Sequence, residues 1–300
     1  GRKSGAAVAE RWSLLAACLP ACAALVVPLP AAVPATALRG VSLQRVGDGE
    51  SVDVGAALAS SKGLTMCVLG THAADFNCVE YGQRIRAFWP QLQEKGIERC
   101  IMVVNGQASS CSKLAQLIDL PAEVEVLADP SGEAGRRFGV SRGFRPDDTE
   151  LSANLKLFVV GIGLGPPWGT LPAVLAGYLG NPQGERSWIE EALKQGQVAG
   201  RWPSVLELDA EGSVLANKFD NFPLLGDWGV RPFELATLRL QSLIGIQILN
   251  WNELKPIDDR CLTQLGGMTV VGPGGEAVYS WVDQGLCDVP DMKAVLAALQ

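Results

Sequence analysis

Short unbroken apolar runs alternate with stretches of helical periodicity through the first half of the chain. Residues 64–69 (LTMCVL), 101–104 (IMVV) and 124–127 (VEVL) have the length and β-branched content of buried strands. From Cys78, the apolar residues Tyr81, Ile85, Phe88 and Leu92 recur at helical spacing, with Asp75 or Asn77 as N-cap and Pro90 expected to kink or shorten the helix. Residues 70–77 form the loop before it. Ser109 or Ser110 caps a second helix carrying Leu114, Leu117 and Ile118. Asp129-Pro130 closes the third strand, and residues 132–138 make a short third helix. Residues 41–63 are mixed, with a short strand at 52–54. Near the C-terminus, residues 268–271 and 277–282 pair as a hairpin across Gly272-Pro273-Gly274-Gly275. Asp288 and Pro290 then open a last helix containing Met292, Val295, Leu296 and Leu299.

Between these parts the pattern changes. Residues 151–256 hold five of the eight tryptophans (Trp168, Trp188, Trp202, Trp228 and Trp251), and residues 158–180 carry no charge. The implied organisation is a targeting or anchoring segment (1–40), a first half-domain (41–150), an apolar Trp-rich insertion (151–256) and a second half-domain (257–300). Removing the insertion leaves β-α-β-α-β-α followed by β-β-α. Parallel strands joined by helices and ended by an antiparallel hairpin predict an α/β, thioredoxin-like sheet.

Composition narrows the function classes. Apolar residues make up 48% and charged residues 19%, enough for a sizeable core. The net charge of −7 comes without a basic cluster, which disfavours nucleic-acid binding. A single histidine, His72, excludes multi-histidine metal sites and argues against a Ser/His/Asp triad. The eight cysteines (18, 22, 67, 78, 100, 111, 261 and 287) include no CxxC pair, so neither a zinc ribbon nor a thioredoxin-type dithiol is present. Cys261 and Cys287 flank the final hairpin, either as a disulfide or as free thiols; Cys67 and Cys100 fall on or beside buried strands. Gly161-Ile162-Gly163-Leu164-Gly165 suggests a dinucleotide loop, but Pro166-Pro167 leaves no helix N-terminus to cradle a phosphate. No cofactor or metal is implied.

Two uncharged stretches point toward a membrane. Residues 12–38 follow Arg2, Lys3 and Arg11 and end near Ala35-Thr36-Ala37, which suits a cleaved secretory-type signal. The same stretch is long enough to be a retained anchor, and both readings stay open. Residues 158–180, broken at Pro166-Pro167, suit a membrane-embedded hairpin edged by Trp168 and Tyr178. The expected membrane or partner contacts are Leu14 and Leu15 in the first stretch, and Phe158, Trp168 and Tyr178 in the second. A buried apolar segment, or a surface for protein, pigment or lipid, is the alternative for the second.

The segment Gly70-Thr71-His72-Ala73-Ala74-Asp75-Phe76-Asn77-Cys78-Val79-Glu80-Tyr81 resembles the chloroplast and cyanobacterial branch of the peroxiredoxin-like proteins, within the alkyl-hydroperoxide-reductase/thiol-specific-antioxidant group. The likeness continues through residues 129–143, through Thr170-Leu171-Pro172, Gly200-Arg201-Trp202-Pro203 and residues 231–241 of the insertion, and through Gly285-Leu286-Cys287-Asp288-Val289. It runs from about residue 64 to residue 299. The resemblance implies a thioredoxin-like fold, a plastid location and an antioxidant role; the two uncharged stretches then suggest the thylakoid membrane, and if residues 12–38 span it, the basic flank before them favours a lumenal over a stromal body.

It also implies a peroxidatic position at Cys78. Such a thiol sits at a helix N-terminus, where exposed amides and the dipole lower its pKa. The family pattern places a proline and a threonine or serine before it and draws an arginine from elsewhere. Here Thr71 stands at the proline position and Asp75 at the threonine position. If the segment is aligned instead to relatives with CxxC, Asp75 replaces the first cysteine. A carboxylate beside a thiol raises its pKa. Arg142, or its neighbours Arg136 and Arg137, could supply the anion-binding arginine; Cys111, Cys261 and Cys287 are candidate resolving partners. Gly266-Gly267-Met268 replaces the cis-proline that such folds place before the hairpin strand. Two readings follow. One is a binding subunit of a photosynthetic membrane complex whose catalytic loop has degenerated. The other is an active thiol peroxidase using Cys78.

Overall fold

The computed structural model describes residues 35–162, 206–210, 213–217, 249–286 and 288–299 of the 300-residue chain. All of them lie in the unit Ala31–Gln300 of the two into which the chain divides. The elements are β1 (Ser42–Arg45), β2 (Ser51–Asp53), α1 (Val54–Ala59), β3 (Leu64–His72), α2 (Phe76–Glu94), β4 (Ile97–Asn105), α3 (Ala108–Leu117), β5 (Val124–Ala128), α4 (Glu133–Phe138) and α5 (Ala153–Ile162). A separate two-stranded ribbon follows, β6 (Leu206–Leu208) with β7 (Val214–Asn217), and then α6 (Leu249–Leu254). The chain returns with β8 (Gly267–Val271), β9 (Ala277–Val282) and α7 (Met292–Ala298).

One seven-stranded sheet runs in the order β2-β1-β5-β4-β3-β8-β9. Strands β3, β4 and β5 are parallel, β8 runs antiparallel to β3, and β9 antiparallel to β8. This is the thioredoxin-like arrangement: parallel strands linked by crossover helices, with a closing hairpin delivered from far along the chain. Strand β3 sits near the centre and is buried along nearly its whole length, as expected for a strand covered on both faces. Met66 and Val68 point into the larger core with Tyr81, Ile85 and Leu92 of α2, Leu114 of α3 and Val295 of α7. Cys67 and Leu69 point the other way, against Leu58 of α1 and Phe138 of α4. The period-2 alternation of the strand thus divides its side chains between two cores.

Several local expectations are corrected. In residues 41–63 the short strand expected at 52–54 is β2, but it pairs with a second strand, β1, and is followed by a short helix, α1, which Asp53 caps through Ala56 N. Strand β3 continues to His72, so residues 70–72, expected in the loop, extend the sheet. Pro90 lies inside α2, which runs on to Glu94 because Phe88, Trp89 and Leu92 around it are buried. Helix α3 is capped at Gln107, with no side-chain cap bond, while Ser109 and Ser110 lie inside it. Asp291 caps α7 through Lys293 N; Asp288 instead accepts from Gln284 N. No described helix is long and apolar enough to cross a membrane.

Candidate functional site

The carboxyl ends of parallel strands deliver the loops that build sites in α/β folds. Here β3 ends at His72, the chain turns, and α2 starts at Phe76. Asp75 is the N-cap in extended conformation, and its Oδ1 accepts from Asn77 N at 2.9 Å. The same Oδ1 accepts from Thr71 Oγ1 at 2.7 Å, within the buried turn. Cys78 follows in the first helical turn, fully buried. Its sulfur lies against Gly70: a Cβ there would sit 3.1 Å from Cys78 Sγ and 2.7 Å from Val103 O. Glycine is required because the strand passes the thiol and β4 too closely for any side chain.

Burial pushes the Cys78 thiol well up from its ordinary range, and Asp75 and Cys111 push it further; a backbone bond from Thr71 opposes them. A helix N-terminus favours one nearby anion. In α2 the Asp75 carboxylate takes that place, so a Cys78 thiolate would be a second, desolvated negative charge beside the first. The carboxylate-beside-thiol relationship expected from the sequence is therefore present, and burial exceeds it as the cause.

Among the described residues, the other thiols offer no better nucleophile. Cys111 is a buried free thiol in the first turn of α3, donating to Val104 O at 3.7 Å, and burial pushes it up to about 12. Cys67 is pushed up to about 12 and Cys100 also rises, both by burial. Cys261 is a free buried thiol, raised to about 12 by burial and then by Asp258. The disulfide considered for Cys261 is thus not formed; Cys287 lies outside the described residues.

Of the three arginines considered as anion binders, Arg142 pairs with Asp147 at 2.7 Å, both exposed. Arg137 pairs with Glu133 within α4, and Arg136 donates to Ser131 O. These contacts tie them to α4 and its flanking loops, and the influences on Cys78 include none of them. Phe158 is 64% exposed on α5. Leu14, Leu15, Trp168 and Tyr178 lie outside the described residues, as does most of the Trp-rich insertion.

The turn has polar neighbours that periodicity did not reveal. Asp283, just past β9, is fully buried and accepts from Tyr81 OH at 2.7 Å and from Asn77 Nδ2 at 2.8 Å. Burial raises its carboxyl well above the usual range, while the Tyr81 and Asn77 bonds hold it down in part. His72 is buried edge-on to Trp251, with ring centroids 6.1 Å apart. Neither His72 ring nitrogen makes a well-formed hydrogen bond among the described residues. Burial lowers its pKa, with Asp75 and then the backbone of Leu262 opposing. Asp283 and Tyr81 meet across about two hundred residues of chain, and no local pattern marks that pairing. Among the described residues no group of three or more His, Cys, Asp or Glu side chains could hold a metal ion.

A family model described as AhpC/TSA antioxidant enzyme matches residues 84–285, about two thirds of the chain. The match begins six residues beyond Cys78, so it rests on the sheet and the insertion rather than on the β3–α2 turn. No curated protein and no solved structure matches the chain.

Proposed function

The chain belongs to the AhpC/TSA antioxidant enzyme family, and we propose that it works mainly by binding, as an accessory or scaffold subunit of a photosynthetic complex at the thylakoid membrane. The observation that carries this reading is Asp75 on the N-cap of the helix that holds Cys78. The carboxylate claims the positive helix end that a peroxidatic thiolate needs, and burial removes the thiol from substrate. A thiol so placed is a poor nucleophile, which leaves recognition as the role. The uncharged stretches 12–38 and 158–180 and the tryptophans of the insertion support a membrane partner. The plastid location rests on the resemblance of the 70–81, 129–143 and 231–241 segments.

Two measurements test it. Purified chain, given hydrogen peroxide and a dithiol reductant, should consume peroxide no faster than its Cys78→Ser variant. After gentle detergent solubilisation of thylakoids and native separation, mass spectrometry should find the chain co-migrating with photosystem or antenna subunits. Migration only as the free chain would sink the scaffold role.

Family membership and the first-turn position of Cys78 favour one second reading, an antioxidant thiol peroxidase. Rapid peroxide consumption that disappears in Cys78→Ser would establish it in place of the first.

A further inference from the structure

Three side chains of α2, at positions i, i+4 and i+7, grip the connection between β9 and α7. Asn77 Nδ2 donates to Asp283 Oδ2 at 2.8 Å and to Gly285 O at 3.2 Å. Tyr81 OH donates to Asp283 Oδ1 at 2.7 Å. Arg84 Nη1 donates to Pro290 O at 2.6 Å and to Val289 O at 3.3 Å. That spacing places all three on one face of the helix. Asp283 is fixed from behind by its own amide, which donates to Gly266 O at 3.0 Å. It is fully buried and takes one bond on each carboxylate oxygen, from residues immediately before and three after Cys78.

We infer that Asp283 is a positioning residue for Cys78: it latches the β9–α7 connection onto the first turn of α2, and the turn exposes its thiol only when that latch opens. The side chain joins the two segments through both its oxygens, and the α2 partners bracket the thiol. Opening the first helical turn therefore means breaking the Asn77–Asp283 bond as well as the Asp75 cap.

The latch has a pH dependence of defined sign. The groups facing Asp283 are Tyr81, Asn77 and Asp75 from the α2 side and Asp288 from the connection; its side chain is in no ion pair with a described lysine or arginine. Burial raises its pKa in the closed form, so the closed form is favoured most below the open-chain carboxyl value of about 4. As pH rises from there through the closed-form value, closure weakens by up to about tenfold per unit. The inference concerns access to the thiol and holds whether or not Cys78 turns over peroxide.

The test is alkylation of the full chain by N-ethylmaleimide between pH 5 and 8, with each cysteine followed by peptide mass spectrometry. Each rate is divided by that of the denatured chain at the same pH, which cancels thiol ionisation in the open form. Protection of Cys78 should fall as pH rises in the native protein. In Asp283→Asn, whose amide can accept from Asn77 and donate to Tyr81, protection should be flat with pH and higher than in the native protein at pH 8. Tyr81→Phe should lower Cys78 protection while leaving Cys67, on the central strand, protected. An unchanged pH slope in Asp283→Asn overturns the latch. Equal loss at Cys78 and Cys67 in Tyr81→Phe also overturns it, because opening would then be global.

Discussion

Thr71 and Asp75 are joined by a buried 2.7 Å hydrogen bond from hydroxyl to carboxylate, spanning the turn between β3 and α2. The bond holds the Asp75 side chain toward the helix, where the same oxygen caps Asn77 N. Two residues that depart from the peroxidatic pattern thus make a coherent structure of their own. The turn is built as a capped helix start, and the thiol inside it is sealed rather than presented.

Replacing the charge should partly reverse this. In Asp75→Ser the cap is kept in kind, since serine and aspartate are similar N-caps, while the anion nearest the thiol is removed. The Cys78 pKa should drop, seen as faster iodoacetamide labelling of the Cys78 peptide at pH 7. Asp75→Ala removes the cap too and should cost about 0.5–2 kcal/mol in urea unfolding.

Thr71→Val keeps the shape of the side chain and deletes its hydroxyl. One buried carboxylate oxygen then loses a donor, at about 1–3 kcal/mol. A fall in the urea midpoint without a change in slope is the expected signature; no fall would show that water replaces the hydroxyl.

Gly70→Ala places a methyl against Val103 O and Cys78 Sγ. The backbone carbonyl is held in the parallel sheet and cannot yield easily, so the substitution should cost about 1–3 kcal/mol. Gly106→Ala is the contrast: its Cβ would meet nothing closer than 3.6 Å, with Cys111 Sγ as one neighbour. Its effect should stay within about 0.5 kcal/mol. Thermal melts of the two variants compare them directly.

His72 gives the protein an acid-side weakness. Its folded pKa is lowered by burial, so the unfolded chain binds the proton first. The contribution of the neutral ring is intact above the unfolded value of about 6.5 and is lost as pH falls through it, by at most about 1.4 kcal/mol per unit. Asp283 acts in the opposite sense, gaining stability on acidification. The difference between native and His72→Gln proteins isolates the imidazole. The native Tm should fall more steeply than that of the variant between pH 7 and 5, and parallel curves would contradict the assignment.

Much of the scaffold was legible in sequence. The apolar runs at 64–69 and 101–104 became β3 and β4, because strands covered on both faces must be apolar along their length, while 124–127 became β5 and the terminal hairpin became β8 and β9, marked by short β-branched runs beside turn residues. Asp75 was readable as a helix cap, since capping is a local contact between residues two apart. Strand β2 falls on the short strand expected at 52–54, whereas β1 goes unannounced because four residues with alternate positions exposed carry little hydrophobic signal. The cap of α3 was misplaced onto serine because Gln107 provides no side-chain bond to announce it.

The sequence by itself determined that an α/β sheet would form, that Cys78 would open a helix and that a carboxylate would stand beside it. The strands and helices of that sheet and the capped turn at Cys78 are written in spacing within a few residues. Only the tertiary structure decided how deeply that thiol is buried, that Arg142 is engaged with Asp147, and that Asp283 fastens the helix start through Asn77 and Tyr81. Those facts depend on which segments distant in the chain are brought together by packing two cores onto one sheet, and desolvation and long-range hydrogen bonds exist only after that packing has occurred.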